Sequence, residues 1–331
     1  MWRAAKVGFL FVLLSAIAAQ AQELFPLNEP ASTMPKGVLG VRLFTENFTE
    51  VTRTRSLYAA RFMYGITPRL TVLTNLSISN HHANTLPPDL ITHAHGSNGQ
   101  TTYYTHAIKR GVKYPFLFNG FHVLAKYRFL SIDGKNQHFR MAAVAEASSV
   151  HVAHDEAEPN LVDDTGGYGG GFIATWLKNR FAASFTYGFI RPNSYFEIQK
   201  DKDVVGNPDL PTRIYYGNGS KFNLSLGYLF YPKRYNSYKD PNWNVYLEFI
   251  GKQYDAATVI QRGTEITTRA VALTGNTYWE IHPGIQRIVN SNFRVDVTAG
   301  FSLFSQSYVH FTPVWMFAVQ RYFYPTGKKK V

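Results

Sequence analysis

Three groups of side chains in this 331-residue chain carry types and spacings suited to chemistry. Histidines form the first. His93-Ala94-His95 and His151-Val152-Ala153-His154-Asp155-Glu156 place imidazoles and carboxylates near enough in sequence to hold Zn, Cu or Ni. Neither run completes a four-ligand spacing, and His81, His82, His93, His95, His106, His151, His154 and His310 all fall in polar stretches. Solvated polarity is their plainer reading. His95-Gly96-Ser97 is a His-x-Ser pair of the kind in which imidazole deprotonates a hydroxyl, but Gly and Asn surround it and nothing fixes its geometry. Gly167, Gly169, Gly170 and Gly171 invite comparison with a phosphate-cradling loop, yet no helical pattern follows them. They read instead as a bent strand. The third group is a set of charges that alternate with apolar neighbours: Arg42, Arg61, Lys126, Arg128, Arg140, Glu146, Lys221, Glu248, Lys252, Glu280, Arg294 and Asp296. What those charges can do depends on which elements bring them together.

The elements are strands. Tyr58, Ala60, Phe62, Tyr64 and Ile66 share one face of a period-two run, with Leu57, Ala59, Arg61 and Met63 on the other. Phe121, Val123, Ala125, Tyr127 and Phe129 oppose His122, Lys126 and Arg128. Phe293, Val295, Val297, Ala299 and Phe301 oppose Arg294, Asp296 and Thr298. The spacing predicts about twelve strands, over 37–45, 55–66, 69–79, 121–130, 138–151, 167–177, 180–190, 220–231, 243–254, 277–288, 292–304 and 313–324.

Composition selects the compartment. Arg3 and Lys6 precede an apolar run from Val7 to Ala18, and Ala19-Gln20-Ala21 follows. That is the layout of a secretory signal peptide over residues 1–21, cleaved after Ala21, since the run is too short to span a bilayer. The chain holds 34 Lys and Arg against 22 Asp and Glu. Losing Arg3 and Lys6 leaves a formal charge of +10. Export argues against nucleic acid as a partner, so this excess reads as a field acting on anions. The absence of Cys removes disulfides, thiolate metal sites and a lipoprotein anchor. No cofactor is implied.

A soluble sandwich and a membrane barrel both alternate with period two. Two features favour the barrel. Aromatics recur near the ends of the apolar face, at Tyr58, Phe121, Phe129, Phe181, Phe189, Phe222, Phe230 and Trp243, where membrane interfaces favour amphipathic rings. Connections also alternate in length. Short links at 65–68, 131–137, 177–180 and 290–292 face long polar ones at 80–120, 152–166, 191–220 and 256–276. The fold expected is all-β: an antiparallel up-and-down transmembrane barrel over 37–324. A periplasmic segment over 22–36 precedes it and a basic tail over 325–331 follows.

The hairpin Phe62-Met63-Tyr64-Gly65-Ile66-Thr67-Pro68-Arg69-Leu70, with the polar/apolar strand after it, resembles that of Gram-negative outer-membrane barrels grouped with phenol meta-pathway transporters. The resemblance implies a monomeric barrel that passes small, often apolar, molecules. The chain departs from the usual aromatic ending, since Pro325-Thr326-Gly327 and a basic tail follow Tyr322-Phe323-Tyr324.

If the apolar face meets lipid, the charged group lines the lumen, with eight cations against four anions. The function expected is an outer-membrane channel passing small anionic or apolar solutes, with outer-membrane lipid and the barrel-assembly machinery as partners. Two other readings stay open: charges that pair across a narrow barrel and plug it, and an adhesin or structural barrel acting through long external loops. A barrel enzyme acting on lipid is a more remote alternative.

Overall fold

The computed structural model describes residues 25–50, 53–80, 95–97, 100–102, 116–150, 166–200, 209–234, 240–267, 275–305 and 312–325. The signal peptide expected over 1–21, His93, His151, His154 and most of the basic tail lie outside them.

Eighteen strands occur among the described residues. In chain order they are β1 (Leu39–Glu50), β2 (Arg53–Thr67), β3 (Leu70–Ser79), β4 (His95–Ser97), β5 (Gln100–Thr102), β6 (Leu117–Asp133), β7 (Gln137–Val150), β8 (Gly167–Lys178) and β9 (Phe181–Pro192). There follow β10 (Tyr195–Lys200), β11 (Asp209–Tyr215), β12 (Gly219–Tyr231), β13 (Asn242–Tyr254), β14 (Thr258–Gln261), β15 (Thr264–Ile266), β16 (Asn276–Val289), β17 (Phe293–Ser305) and β18 (Val314–Phe323). Twelve of them close an antiparallel barrel in the order β1-β2-β3-β6-β7-β8-β9-β12-β13-β16-β17-β18, with β18 returning to β1. Each matches an expected strand. Both ends of the barrel, at Leu39 and Phe323, lie on the rim that carries the turns at 68–69, 134–136, 179–180 and 290–292.

Alternation decides which way each strand faces. Leu43, Phe62, Phe129, Phe189 and Phe317 are exposed on the outside, at 41–53% of their free surface. Arg42, Lys126, Glu248, Asp296 and Gln320 point inward and keep 2% or less. Polar groups inside and large apolar groups outside suit a hydrocarbon surround and reverse the order of a water-soluble core. On that outer surface Phe172, Tyr187, Phe222, Gly251 and Trp279 stand opposite one another across five strands. Trp279 covers Gly251 and stacks on Phe222 at 6.5 Å, so the aromatic row continues over the glycine.

The structure departs from expectation in three places. First, β1 and β2 run on to Glu50 and Arg53, which pair with each other on the rim of the long loops. Beyond Asn47 the pair lacks an outer apolar row, which is why it reads as a loop. Second, two long connections contribute β10, β11, β14 and β15 to a separate four-stranded sheet above the barrel, with Ile214 and Val259 buried in it. Third, the sequence reads as a periplasmic segment over 22–36, of which residues 25–36 are described. Instead Phe25, Asn28, Ala31, Thr33 and Met34 are buried within the barrel.

Candidate functional site: a segment seated in a charged lumen

Pro26, Pro30 and Pro35 keep the N-terminal segment from becoming helix or ladder strand. Its backbone amides must therefore find partners elsewhere, because buried N–H groups do not stay unpaired. Lumen side chains supply them. Leu27 and Asn28 donate to the two carboxylate oxygens of Glu248 at 3.0 and 3.1 Å. Ala31 donates to Thr175 Oγ1 and Met34 to Thr71 Oγ1, each at 2.8 Å. The Asn28 amide donates to Ser225 and accepts from Asn223, while Ser225 donates to Glu248. Arg140 reaches Ser32 at 2.9 Å.

Apolar contact holds the other side. Met63, Leu73, Leu124, Ala142, Val144 and Ile173 face inward and pack with Ala31, Met34 and Val38 in one cluster. Phe25 packs on Ala182 and Tyr246. Removing such side chains from water contributes roughly 25 cal/mol per Å². The segment leaves the barrel beside Gly65, whose N–H donates to Val38 and whose carbonyl accepts from Gly37. A Cβ on Gly65 would stand 2.1 Å from the Pro35 carbonyl oxygen, so only glycine admits this approach.

Glu29 is the segment's charged group. One of its oxygens accepts from Arg61 Nη1 at 2.8 Å and the other from Lys126 Nζ at 2.9 Å. Lys126 also donates to the Pro30 carbonyl. Burial opposes ionisation of Glu29, but Lys126, Arg61 and Arg42 outweigh it and hold the carboxyl at about 2. Arg61 Nε donates to Asn75 at 2.7 Å, and the Asn75 amide meets His122 Nδ1 at 2.9 Å. His122 Nε2 meets Glu146 at 2.9 Å, and Lys221 donates to the second Glu146 oxygen. A continuous polar chain thus runs from the segment to β12. Gly169 leaves room for Glu146, since a Cβ there would lie 3.1 Å from its Oε1.

The remaining expected lumen residues divide among smaller groups. Arg42 and Arg294 share Asp296, at 3.4 and 3.2 Å. Gln286 donates to Asp296 from the next strand. Glu280 pairs with His282 at 3.1 Å. Lys252 lies over the Tyr278 ring. Arg128 donates to the Pro68 carbonyl and Arg140 to Asp133, both toward the turn rim. All twelve charges thus sit on barrel strands, and most meet a partner there or on the segment.

Sequence reading missed Glu29, Asn28, Asn75, His122, Gln286 and Gln320. Alternation sets His122 on the inward face with Lys126 and Arg128, but an uncharged group there carries no sign of a role. Of the expected metal ligands only His95 is described, on β4. Among the described residues no three His, Asp or Glu side chains converge on a metal-sized site.

No protein-family profile and no curated sequence matches the chain. Solved structures do. An outer membrane channel from Pseudomonas putida F1 aligns over 91% of this chain and 100% of its own, at 10% identity with a TM-score of 0.54. The fold is that of an outer-membrane barrel. The NanC porin aligns over 87% of this chain and 100% of its own, at 8% identity with a TM-score of 0.43. The CymD monoaromatic hydrocarbon channel covers 92% and 95%, at 9% identity with a TM-score of 0.38.

Proposed function

We propose that this chain is an outer-membrane channel for small solutes, exported by a signal peptide cleaved after Ala21 and inserted by the barrel-assembly machinery. Its lumen favours anions, and the N-terminal segment obstructs it in the state described. The observation that carries this reading is the balance of charge on the inner wall. Arg42, Arg61, Lys126, Arg128, Arg140, Lys221, Lys252 and Arg294 outnumber Glu146, Glu248, Glu280 and Asp296, all of them buried or half-buried. Fixed charge of one sign sets the field a permeant ion crosses. An apolar outer wall over twelve strands and the likeness in fold to a solved channel support the same reading.

Purified protein in planar bilayers tests it. Expected are discrete conductance steps that grow when residues 25–35 are deleted, and a reversal potential in a salt gradient displaced toward the anion. A barrel that stays silent after that deletion is not a channel.

The four-stranded sheet above the barrel supports a second activity, contact with an external surface through an ordered platform. Cell-binding assays with the sheet's loops exchanged for short turns separate it from permeation.

A further inference from the structure

The Arg61–Lys126 pair has the form of a ligand site with its ligand built in. Glu29 presents one oxygen to a guanidinium and the other to an ammonium, at 2.8 and 2.9 Å. Its side chain keeps only 13% of its free surface. A carboxylate held this way by charge-assisted bonds, largely out of water, is bound as a substrate carboxylate would be.

The two cations differ in what else fixes them. Arg61 is oriented by Asn75 and lies over the Phe44 ring at 5.7 Å, with Arg42 over the same ring at 5.8 Å. Asn75 in turn rests on His122, Glu146 and Lys221. None of these contacts involves the N-terminal segment, so Arg61 stays positioned when the segment leaves. Lys126 is the opposite case. Its hydrogen bonds go to Glu29 and to the Pro30 carbonyl, both on the segment. Lys126 is 3% exposed with the segment docked, and withdrawing the segment takes away both of these partners and leaves its ammonium beside a fixed guanidinium. Such a pair demands an anion.

The geometry points to a binding site for a small carboxylate solute at Arg61 and Lys126, which Glu29 occupies in the obstructed state and which an incoming solute takes over from it. This rests on the reading of the lumen as a permeation path and adds to it a substrate class and a means of opening. Chloride neutralises charge but offers no pair of oxygens. A neutral amide has the shape without the charge. Neither substitutes for the carboxylate.

Benzoate is a suitable probe, with benzamide and sodium chloride of equal ionic strength as comparisons. Binding is measured by calorimetry on the full-length mature protein in detergent, where no permeation is involved. Glu29→Gln removes the internal competitor's charge and is expected to tighten benzoate binding about tenfold, while Glu29→Gln with Lys126→Gln abolishes it. In parallel, Ala31→Cys or, should that barrel fold poorly, Thr33→Cys reports departure of the segment. Benzoate is expected to speed its alkylation about tenfold, and benzamide and chloride to leave it unchanged. The site is refuted if Glu29→Gln binds benzoate no better than the parent, or if chloride or benzamide releases the segment equally well. A barrel that conducts but fails these tests keeps the channel and loses the carboxylate site. One that binds benzoate without conducting keeps the site and loses the channel.

Discussion

The ammonium of Lys126 stands 2.9 Å from a carboxylate oxygen of Glu29, although 97 positions separate them in the chain. This contact joins β6 to the N-terminal segment, and its loss is not confined to one residue. Lys126→Gln leaves Glu29 bonded to Arg61, with Arg42 acting on it from farther off. We expect about 2 kcal/mol of destabilisation, below the 3–5 of a wholly orphaned buried charge, because Arg61 remains. Thermal melting in detergent, with hydrogen exchange over residues 25–35, measures it. Unchanged melting together with unchanged protection contradicts the assignment.

Acid should release the segment, and the sign follows from Glu29. Its carboxyl titrates at about 2 when docked, against an ordinary 4.5. The docked form therefore favours the ionised acid. The stabilisation is complete above the ordinary value and is lost as pH falls from there through the docked one, amounting to roughly 3 kcal/mol. Conductance should be level from neutral pH down to about 5 and then rise as the acid protonates. The same titration on Glu29→Gln should show no such step.

Gly65→Ala tests the exit from the lumen. The added methyl would meet the Pro35 carbonyl oxygen at 2.1 Å and that of Met34 at 2.8 Å. Backbone on both sides has to shift, which costs about 1–3 kcal/mol. Hydrogen exchange should quicken at Gly37 and Val38 while the strands opposite, β12 and β13, keep their protection.

Asp296→Asn addresses selectivity without touching the segment. It strips Arg42 and Arg294 of the carboxylate they share and adds one net positive charge to the lumen. A reversal potential moved further toward the anion is expected, with stability reduced by roughly 3 kcal/mol. An unmoved potential places this cluster off the conduction path.

The barrel was legible because two demands agree at every strand. Lipid outside and water or polar groups inside impose period two, and Phe181 to Pro192 obeys it as plainly in sequence as in burial. The upper half of the β1–β2 hairpin was not legible, since above the apolar zone nothing requires alternation. The external sheet was hidden for a related reason: its strands are three to seven residues long and pair between two distant loops. The lumen was half legible. Facing directions of Arg61 and Lys126 follow from their neighbours, but their partner does not. Glu29 lies in a proline-punctuated stretch with no period, and nothing local says that such a stretch threads a barrel. Met63, Leu73 and Leu124 were the available hint, because apolar groups on a wet wall need something to cover them.

The direct attachment of the segment to β1 has a consequence for dose. Gly37 and Val38 are tied to Gly65, so residues 25–36 swing as a short arm that stays at the rim it came from. Fully extended, an arm of that length reaches about 40 Å, and a tether that short keeps its tip at an effective concentration in the millimolar range or above. Any solute that dislodges it competes against that value rather than against zero. On the proposed reading the barrel then answers to abundance: traces of solute leave it shut, and only a plentiful one holds it open.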